Sequence, residues 1–176
     1  MQVDFFGQEC KHTSCKSTFG ICDDIASKGV KGQPAYLDEI NGERWIATVD
    51  NFYCSSISFY AIDHCVRLPV LAKNKSVKRC DGVLTCDNTI AFVELKSRNQ
   101  FGSKWIKIAE GQLRSTIHYF EQEPESVNFS HKRAYAINNL RPMSRIGQAQ
   151  RMERFVQETG YQLFIKARID LYSAEG

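Results

Sequence analysis

Hydrophobic and polar positions change period several times along the chain, and each change marks an element. Thr89-Ile90-Ala91-Phe92-Val93 runs apolar or β-branched to Leu95, interrupted only by Glu94, and Gly82-Val83-Leu84-Thr85 is a shorter run before it. Asp87-Asn88 between them is a turn pair, which predicts a hairpin. Ala91, Val93 and Leu95 make one face of the second strand apolar, and Ile90 and Phe92 the other, the pattern of a strand buried on both sides. Ile106, Ala109, Leu113, Ile117 and Phe120 then repeat at helical spacing and predict a helix from about Ser103 to Glu121, with Ser103 as N-cap. A second stripe beside it holds Trp105, Ile108, Gln112, Thr116 and Tyr119, while Lys104, Lys107 and Arg114 fall on a solvated face. Further on, the pattern gives a strand over His131 to Ile137, a helix over Ser144 to Thr159 stopped by Gly160, and a final strand from Tyr161 to about Tyr172. Upstream, residues 1–33 lack a clean period and read as irregular or short β structure. Pro34 opens a short helix through Asn41, stopped by Gly42. Strands are expected over Arg44 to Val49 and Ile57 to Ile62, with Asp50-Asn51 as a turn.

No repeat, low-complexity tract or linker divides these elements. The expected architecture is one α/β domain with a mixed central β-sheet flanked by helices. Its parts are an N-terminal segment (1–33), a core (34–137) and a C-terminal helix and strand (138–176). At 176 residues, with 43% hydrophobic and 24% charged residues, the chain is large enough for a substantial core.

The hairpin carries the chemistry. With Asp87-Asn88 as its loop, Cys86 pairs with Thr89 and the register runs back to set Asp81 opposite Glu94. Alternation puts Asp81, Val83 and Thr85 on one face with Ile90, Phe92, Glu94 and Lys96. Two carboxylates set directly opposite have β-carbons about 4.5–5.5 Å apart and repel. A hard divalent cation such as Mg²⁺ (or Mn²⁺) turns that repulsion into a site, needing only one or two carboxylates beside water and phosphate oxygens. Lys96, about 6–7 Å along the strand from Glu94, is placed to orient or deprotonate an attacking water. Acid, acid and lysine around a metal is a constellation for phosphodiester hydrolysis. The plain alternative is a solvated patch in which lysine neutralises an acid, worth little. The apolar residues on both faces of the strand oppose it, because buried charges are not kept without partners.

Asp81, twelve intervening residues and then Glu94-Leu95-Lys96 resembles the motif of the PD-(D/E)XK nuclease superfamily, the restriction-endonuclease-like fold. The likeness covers about Lys78 to Phe120 in motif detail and elsewhere only the order of elements, an α-β-β-β-α-β core. It implies a metal-dependent nuclease in which Asp81, Glu94 and the carbonyl of Leu95 hold the ion and Lys96 assists the water. Cys80 stands where the family motif has proline. The resemblance also implies two accessory groups. Gln112 on the helix would bond the lysine, a water or the substrate, against the plainer role of a boundary residue. An acid from the first helix would join the site: Glu39 is preferred over Asp38, with Glu43 and Asp63 as substitutes. Small stand-alone relatives of this kind look like components of phage defence or mobile elements, an analogy from fold alone.

Charge and cysteines refine the picture. The net charge is only +3, but Lys73, Lys75, Lys78 and Arg79 crowd the approach to Asp81, and Arg141, Arg145, Arg151 and Arg154 cluster later. Such clusters hold a phosphate backbone or are merely solvated faces. The expected partner is therefore nucleic acid, DNA before RNA, with a homodimer or partner protein possible for a two-strand cut. The seven cysteines are expected reduced and structural. Cys10, His12, Cys15 and Cys22 match no zinc spacing. Cys65 beside His64 is not expected to form a dyad, since strand neighbours point to opposite faces. With no membrane-spanning run and no signal-peptide pattern, the expected address is cytoplasmic. A competing function is a non-catalytic subunit of the same fold that binds nucleic acid or protein.

Overall fold

The computed structural model describes residues 2–24, 31–69, 77–97, 104–140 and 147–172. Among them run β1 (Lys11–Ser14), β2 (Thr18–Cys22), β3 (Tyr36–Asp38), β4 (Ala47–Asp50), β5 (Ile57–Ala61), β6 (Gly82–Cys86) and β7 (Thr89–Lys96). These are followed by α1 (Lys104–Phe120), β8 (His131–Asn138), α2 (Ala149–Thr159), β9 (Gln162–Ile165) and β10 (Arg168–Asp170). Six strands form a central mixed sheet in the order β1-β5-β6-β7-β8-β9, and four form a second in the order β10-β4-β2-β3.

In the central sheet β5, β6 and β7 are an antiparallel meander, while β8 and β9 continue it in parallel. Parallel neighbours need a crossover, and α1 and α2 supply the two. Every residue of β7 except Lys96 is buried, for a reason visible in the two cores. Val83, Ile90 and Phe92 pack under Ile106, Ala109, Leu113, Ile117 and Phe120 of α1. Leu84, Ala91, Val93 and Leu95 face Phe19, Ile21, Ala47 and Val49 of the second sheet. Helices, central sheet and second sheet are thus three layers, and the both-faces-apolar pattern of β7 follows from being the middle one.

The hairpin register agrees with the sequence: Cys86 pairs with Thr89 and Gly82 with Val93. Asp87 turns with φ +50°, a conformation aspartate tolerates better than most residues. α1 begins one residue inside its expected start, and Ser103 lies outside the described residues. Its main stripe is buried, but Ile108 of the second stripe is exposed. α2 ends where Gly160 takes φ +76° and donates its N–H to Val156 at 2.8 Å. It starts at Ala149 rather than Ser144, since Gly147 before it takes φ +86°; residues 144–146, which include Arg145, and Arg141 upstream lie outside the described residues.

Four expectations fail. Residues 34–41 make no helix: Tyr36–Asp38 pair with Gly20–Cys22, and the Asp38 carboxylate accepts the N–H groups of Ile40 and Asn41 and the Trp45 indole N–H. An aspartate satisfying backbone amides two and three residues on makes a turn. The strand expected from Arg44 begins only at Ala47, because Gly42–Arg44 form a 3₁₀ turn. The final strand breaks at Lys166-Ala167, leaving β9 in the central sheet and β10 parallel to β4 in the second. Finally, the cysteines are not all reduced. Cys10 and Cys65 form a disulfide, and Cys15, Cys22, Cys54, Cys80 and Cys86 are free. Disulfides persist in oxidising surroundings, a condition the cytoplasmic expectation leaves out. No helix among the described residues is long and apolar enough to cross a membrane.

Candidate active site

The acid-bearing end of the hairpin is fixed from three sides. From β7, Val93 accepts the Asp81 N–H at 3.1 Å; from the end of β5, the Ile62 N–H donates to the Asp81 carbonyl at 2.9 Å. From α1, Thr116 accepts the Cys80 N–H at 2.9 Å and Gln112 Nε2 donates to the Arg79 carbonyl at 2.9 Å. Gly82 follows because the Phe59 ring fills the space beside it: a Cβ there would lie 2.3 Å from Phe59 Cε2. Cys80, in the place of the motif proline, is fully buried, and burial pushes its thiol pKa up.

This scaffold brings the three expected residues together. The β6–β7 ladder ends at Gly82↔Val93; one residue before it, Asp81 has its Oδ2 accept the Leu95 N–H at 2.6 Å and its charge acts on Glu94. Lys96 Nζ donates to Glu94 Oε1 and, at 3.2 Å, to Gln112 Oε1. Gln112 therefore bridges the lysine to the segment leading into Asp81. Glu94 has no solvent exposure, and its second oxygen, Oε2, has no hydrogen-bond donor. A buried carboxylate oxygen without a partner is costly.

The electrostatics follow from that crowding. Burial raises the Asp81 pKa from 3.8 to about 7. The Leu95 N–H opposes the rise, Asp23 and Asp63 add to it, and Lys96 opposes it. Burial, then the charge of Asp81, pushes Glu94 well above the usual carboxylate range, with Lys96 pulling the other way. Asp23, just beyond β2, is raised by burial and by Asp63, and lowered by Lys96 and His64. The field at the site thus comes from acids on three separate segments, with Lys96 as the ammonium bonded within it.

Other expected site residues lie elsewhere. Glu39 is exposed and accepts the Ser14 hydroxyl at 2.6 Å, on a turn rather than a helix, and does not join Asp81. Asp38 is occupied by its turn and Trp45, and Glu43 is exposed in the 3₁₀ turn. Asp63, the other substitute, does share the field of Asp81 and accepts contacts from Arg79 Nε at 3.5 Å and His64 Nε2 at 3.3 Å. Asp23 was not foreseen: it lies 58 positions before Asp81 with no local motif, and only β2 running into Asp23-Asp24 marks it. Lys78 is exposed, whereas the Arg79 guanidinium donates to the Val66 carbonyl at 2.7 Å. Lys73 and Lys75 lie outside the described residues. Arg114 is not on a free solvated face: it pairs with Glu158 and Glu110 and covers the Phe155 ring at 4.5 Å. Cys65 forms no dyad with His64, being bonded to Cys10.

Among the described residues no three His, Cys, Asp or Glu side chains group as a metal cage. A Mg²⁺ or Mn²⁺ ion does not require one, since it is held by one or two carboxylates and completes its shell with water and substrate oxygens. Asp81, the orphaned Glu94 oxygen and the Leu95 carbonyl are a donor set that fits such an ion. The chain matches no family model, no curated protein and no solved structure.

Proposed function

We propose that the chain is a metal-dependent nuclease that hydrolyses phosphodiester bonds in nucleic acid, DNA before RNA. The observation that carries this reading is the Glu94 carboxylate. It is wholly buried, lies in the field of a second acid, and keeps one oxygen without a donor while a lysine holds the other. A buried carboxylate satisfied on one oxygen only is costly to a purely structural role, and a cation held by Asp81 and Glu94 would satisfy it. In the finer fold reading, β5-β6-β7-α1-β8 corresponds to the β-β-β-α-β part of the restriction-endonuclease-like core. Its leading helix has no counterpart at residues 34–41.

Asp81, Glu94 and the Leu95 carbonyl would hold a Mg²⁺ or Mn²⁺ ion. Bound there, the ion supplies Lewis-acid polarisation of the phosphoryl oxygens and offsets the charge that develops on them. The remaining work falls to the chain. Lys96 Nζ, oriented by Gln112 Oε1, holds the attacking water by a hydrogen bond and takes part in moving its proton. Gln112 fixes that lysine against the segment that carries Asp81. Leu95, donating its N–H to Asp81, keeps the first acid aimed at the second.

One observation favours a second reading. The contact between Lys96 and Glu94 is also what a non-catalytic binding subunit would retain as a neutralised pair. A cleavage assay separates the two. Plasmid, single-stranded DNA and RNA are incubated with Mg²⁺ or Mn²⁺ and with the intact chain, Glu94→Ala or Lys96→Ala. The nuclease reading expects cutting that needs the metal and falls about 10²–10⁴-fold in either variant. Cutting that survives both substitutions would falsify the site assignment, and nucleic-acid binding without cutting favours the second reading.

A further inference from the structure

A cavity of about 570 Å³ is lined by Lys31, His64, Arg67 and Arg79, with Glu9 as its acid and the Cys10–Cys65 disulfide in its wall. We propose that this hollow seats the phosphodiester backbone of a nucleic-acid strand on its way to the Asp81–Glu94 pair. The inference rests on the nuclease reading and names where its substrate lies.

Three segments distant in sequence bring permanent cations to one place, and the charges do not cancel. Lys31, Arg67 and Arg79 stand against Glu9 in the lining and Asp63 behind Arg79. Lys31 and Arg67 are exposed, with no hydrogen bond or ion pair to another described residue. Converging like charges repel, and phosphate oxygens relieve that repulsion through charge-assisted hydrogen bonds. Arg79 is a different kind of group. Its hydrogen bond to the Val66 carbonyl and its contact with Asp63 hold it as a fixed wall.

The wall is built rather than incidental. His64 takes φ +65°, a conformation a non-glycine residue keeps only when its surroundings impose it. Gly32 lies so close that a Cβ there would come within 2.6 Å of His64 Nε2. The neighbouring Cys65 is bonded covalently to Cys10, so the segment bearing His64 and Arg67 is fastened to the strand-leading segment before β1.

Two contacts link the wall of the hollow to the candidate site. Arg79 contributes its side chain to the hollow and its carbonyl to Gln112, which holds Lys96. Asp63, the partner of Arg79 and His64, contributes to the field at Asp81. A strand held by Lys31 and Arg67 would lie against Arg79, whose backbone carbonyl is bonded to the residue that holds Lys96.

The test is fluorescence anisotropy of short labelled oligonucleotides, single-stranded and duplex in separate arms, in EDTA so that nothing is cut. Wild type, Lys31→Ala/Arg67→Ala and the control Lys16→Ala, an exposed lysine on the β1–β2 turn, are compared over a salt series. The proposal expects the double variant to bind about tenfold more weakly. Its slope of log affinity against log salt should be shallower by about 1.4 for a single strand or about 1.8 for duplex. The control should bind as wild type does, and thermal melts should show all three folded alike. A wild type that binds no oligonucleotide, or a double variant that binds as tightly as wild type, overturns the proposal. Neither result touches the nuclease reading, which stands or falls on metal-dependent cutting and its loss in Lys96→Ala. Binding that is lost in the double variant while no protein cuts leaves the hollow standing and removes the nuclease.

Discussion

The seam between α1 and α2 and the acid end of the β6–β7 hairpin both set carboxylates beside cations at low exposure, and only the seam balances. In the seam, Glu110, 8% exposed, takes Arg151 and Arg114, and Arg114 also takes Glu158. Two acids meet two arginines. At the hairpin, Asp81 and Glu94, with Asp23 adding to the field and Asp63 held by Arg79, meet Lys96, and Glu94 Oε2 is left without a donor. Low exposure of an ionised group is therefore no sign of chemistry by itself, since the seam has it and is structural. What distinguishes the hairpin is an excess of acid groups over cations with one carboxylate oxygen left unpartnered, which a divalent cation would satisfy.

The contrast is broken or sharpened most strongly by exchanging each acid for its amide. Glu94→Gln is expected to lower metal-dependent cutting by about 10²–10⁴-fold, while Glu110→Gln leaves the rate within a few-fold; plasmid-nicking rates decide, and equal effects would abolish the distinction. Next in size is the response to metal without substrate. At a hundred times its dissociation constant, Mg²⁺ or Mn²⁺ should stabilise the wild type by about 2.7 kcal/mol in urea denaturation, and Glu94→Gln not at all. The same amides should have opposite effects on the metal-free fold at mildly alkaline pH. Glu110→Gln deprives Arg151 of its acid, leaves Arg114 with Glu158 alone and costs about 1–2 kcal/mol, whereas Glu94→Gln removes a buried carboxylate that Lys96 meets on one oxygen only and leaves the chain as stable or more so.

The remaining effect is a slope. A carboxyl raised from 3.8 to about 7 binds its proton more tightly in the folded chain, so its contribution is full below the unfolded value. It is lost as pH climbs from about 4 through 7. Metal-free stability should fall across that window by at most about 1.4 kcal/mol per pH unit from Asp81. Asp81→Asn should flatten the curve. A stability that rises through the window would contradict the burial of Asp81.

The hairpin was legible because its information is local: a two-residue turn fixes the register, and alternation fixes the face. α1 was legible for the same reason, its stripe lying within one helix. Gln112 was placed beside Lys96 only through the family resemblance, and its bond to the Arg79 carbonyl has no signal in sequence. The second sheet was illegible. It is assembled from strands of three to five residues, and β10 pairs with β4 from 120 positions away. At Pro34–Asn41 the helix start and stop signals were both present, but pairing with Gly20–Cys22 outweighed them. Asp23 was missed because its approach to Lys96 depends on that same sheet. The odd cysteine count argued against a complete set of disulfides and hid a single one, closed across 55 positions.

The break at Lys166-Ala167 has a bearing on how the molecule is made. Nine consecutive residues, 162 to 170, supply an edge to each of the two sheets. Until synthesis has carried Asp170 clear of the ribosome, Tyr135 lacks the ring of Phe164 that stacks on it at 4.9 Å and β4 lacks its parallel neighbour. The nascent chain can form the hairpin early, yet both layers behind it are sealed by one late stretch, so maturation of the whole should be a single concerted event rather than a layer-by-layer one.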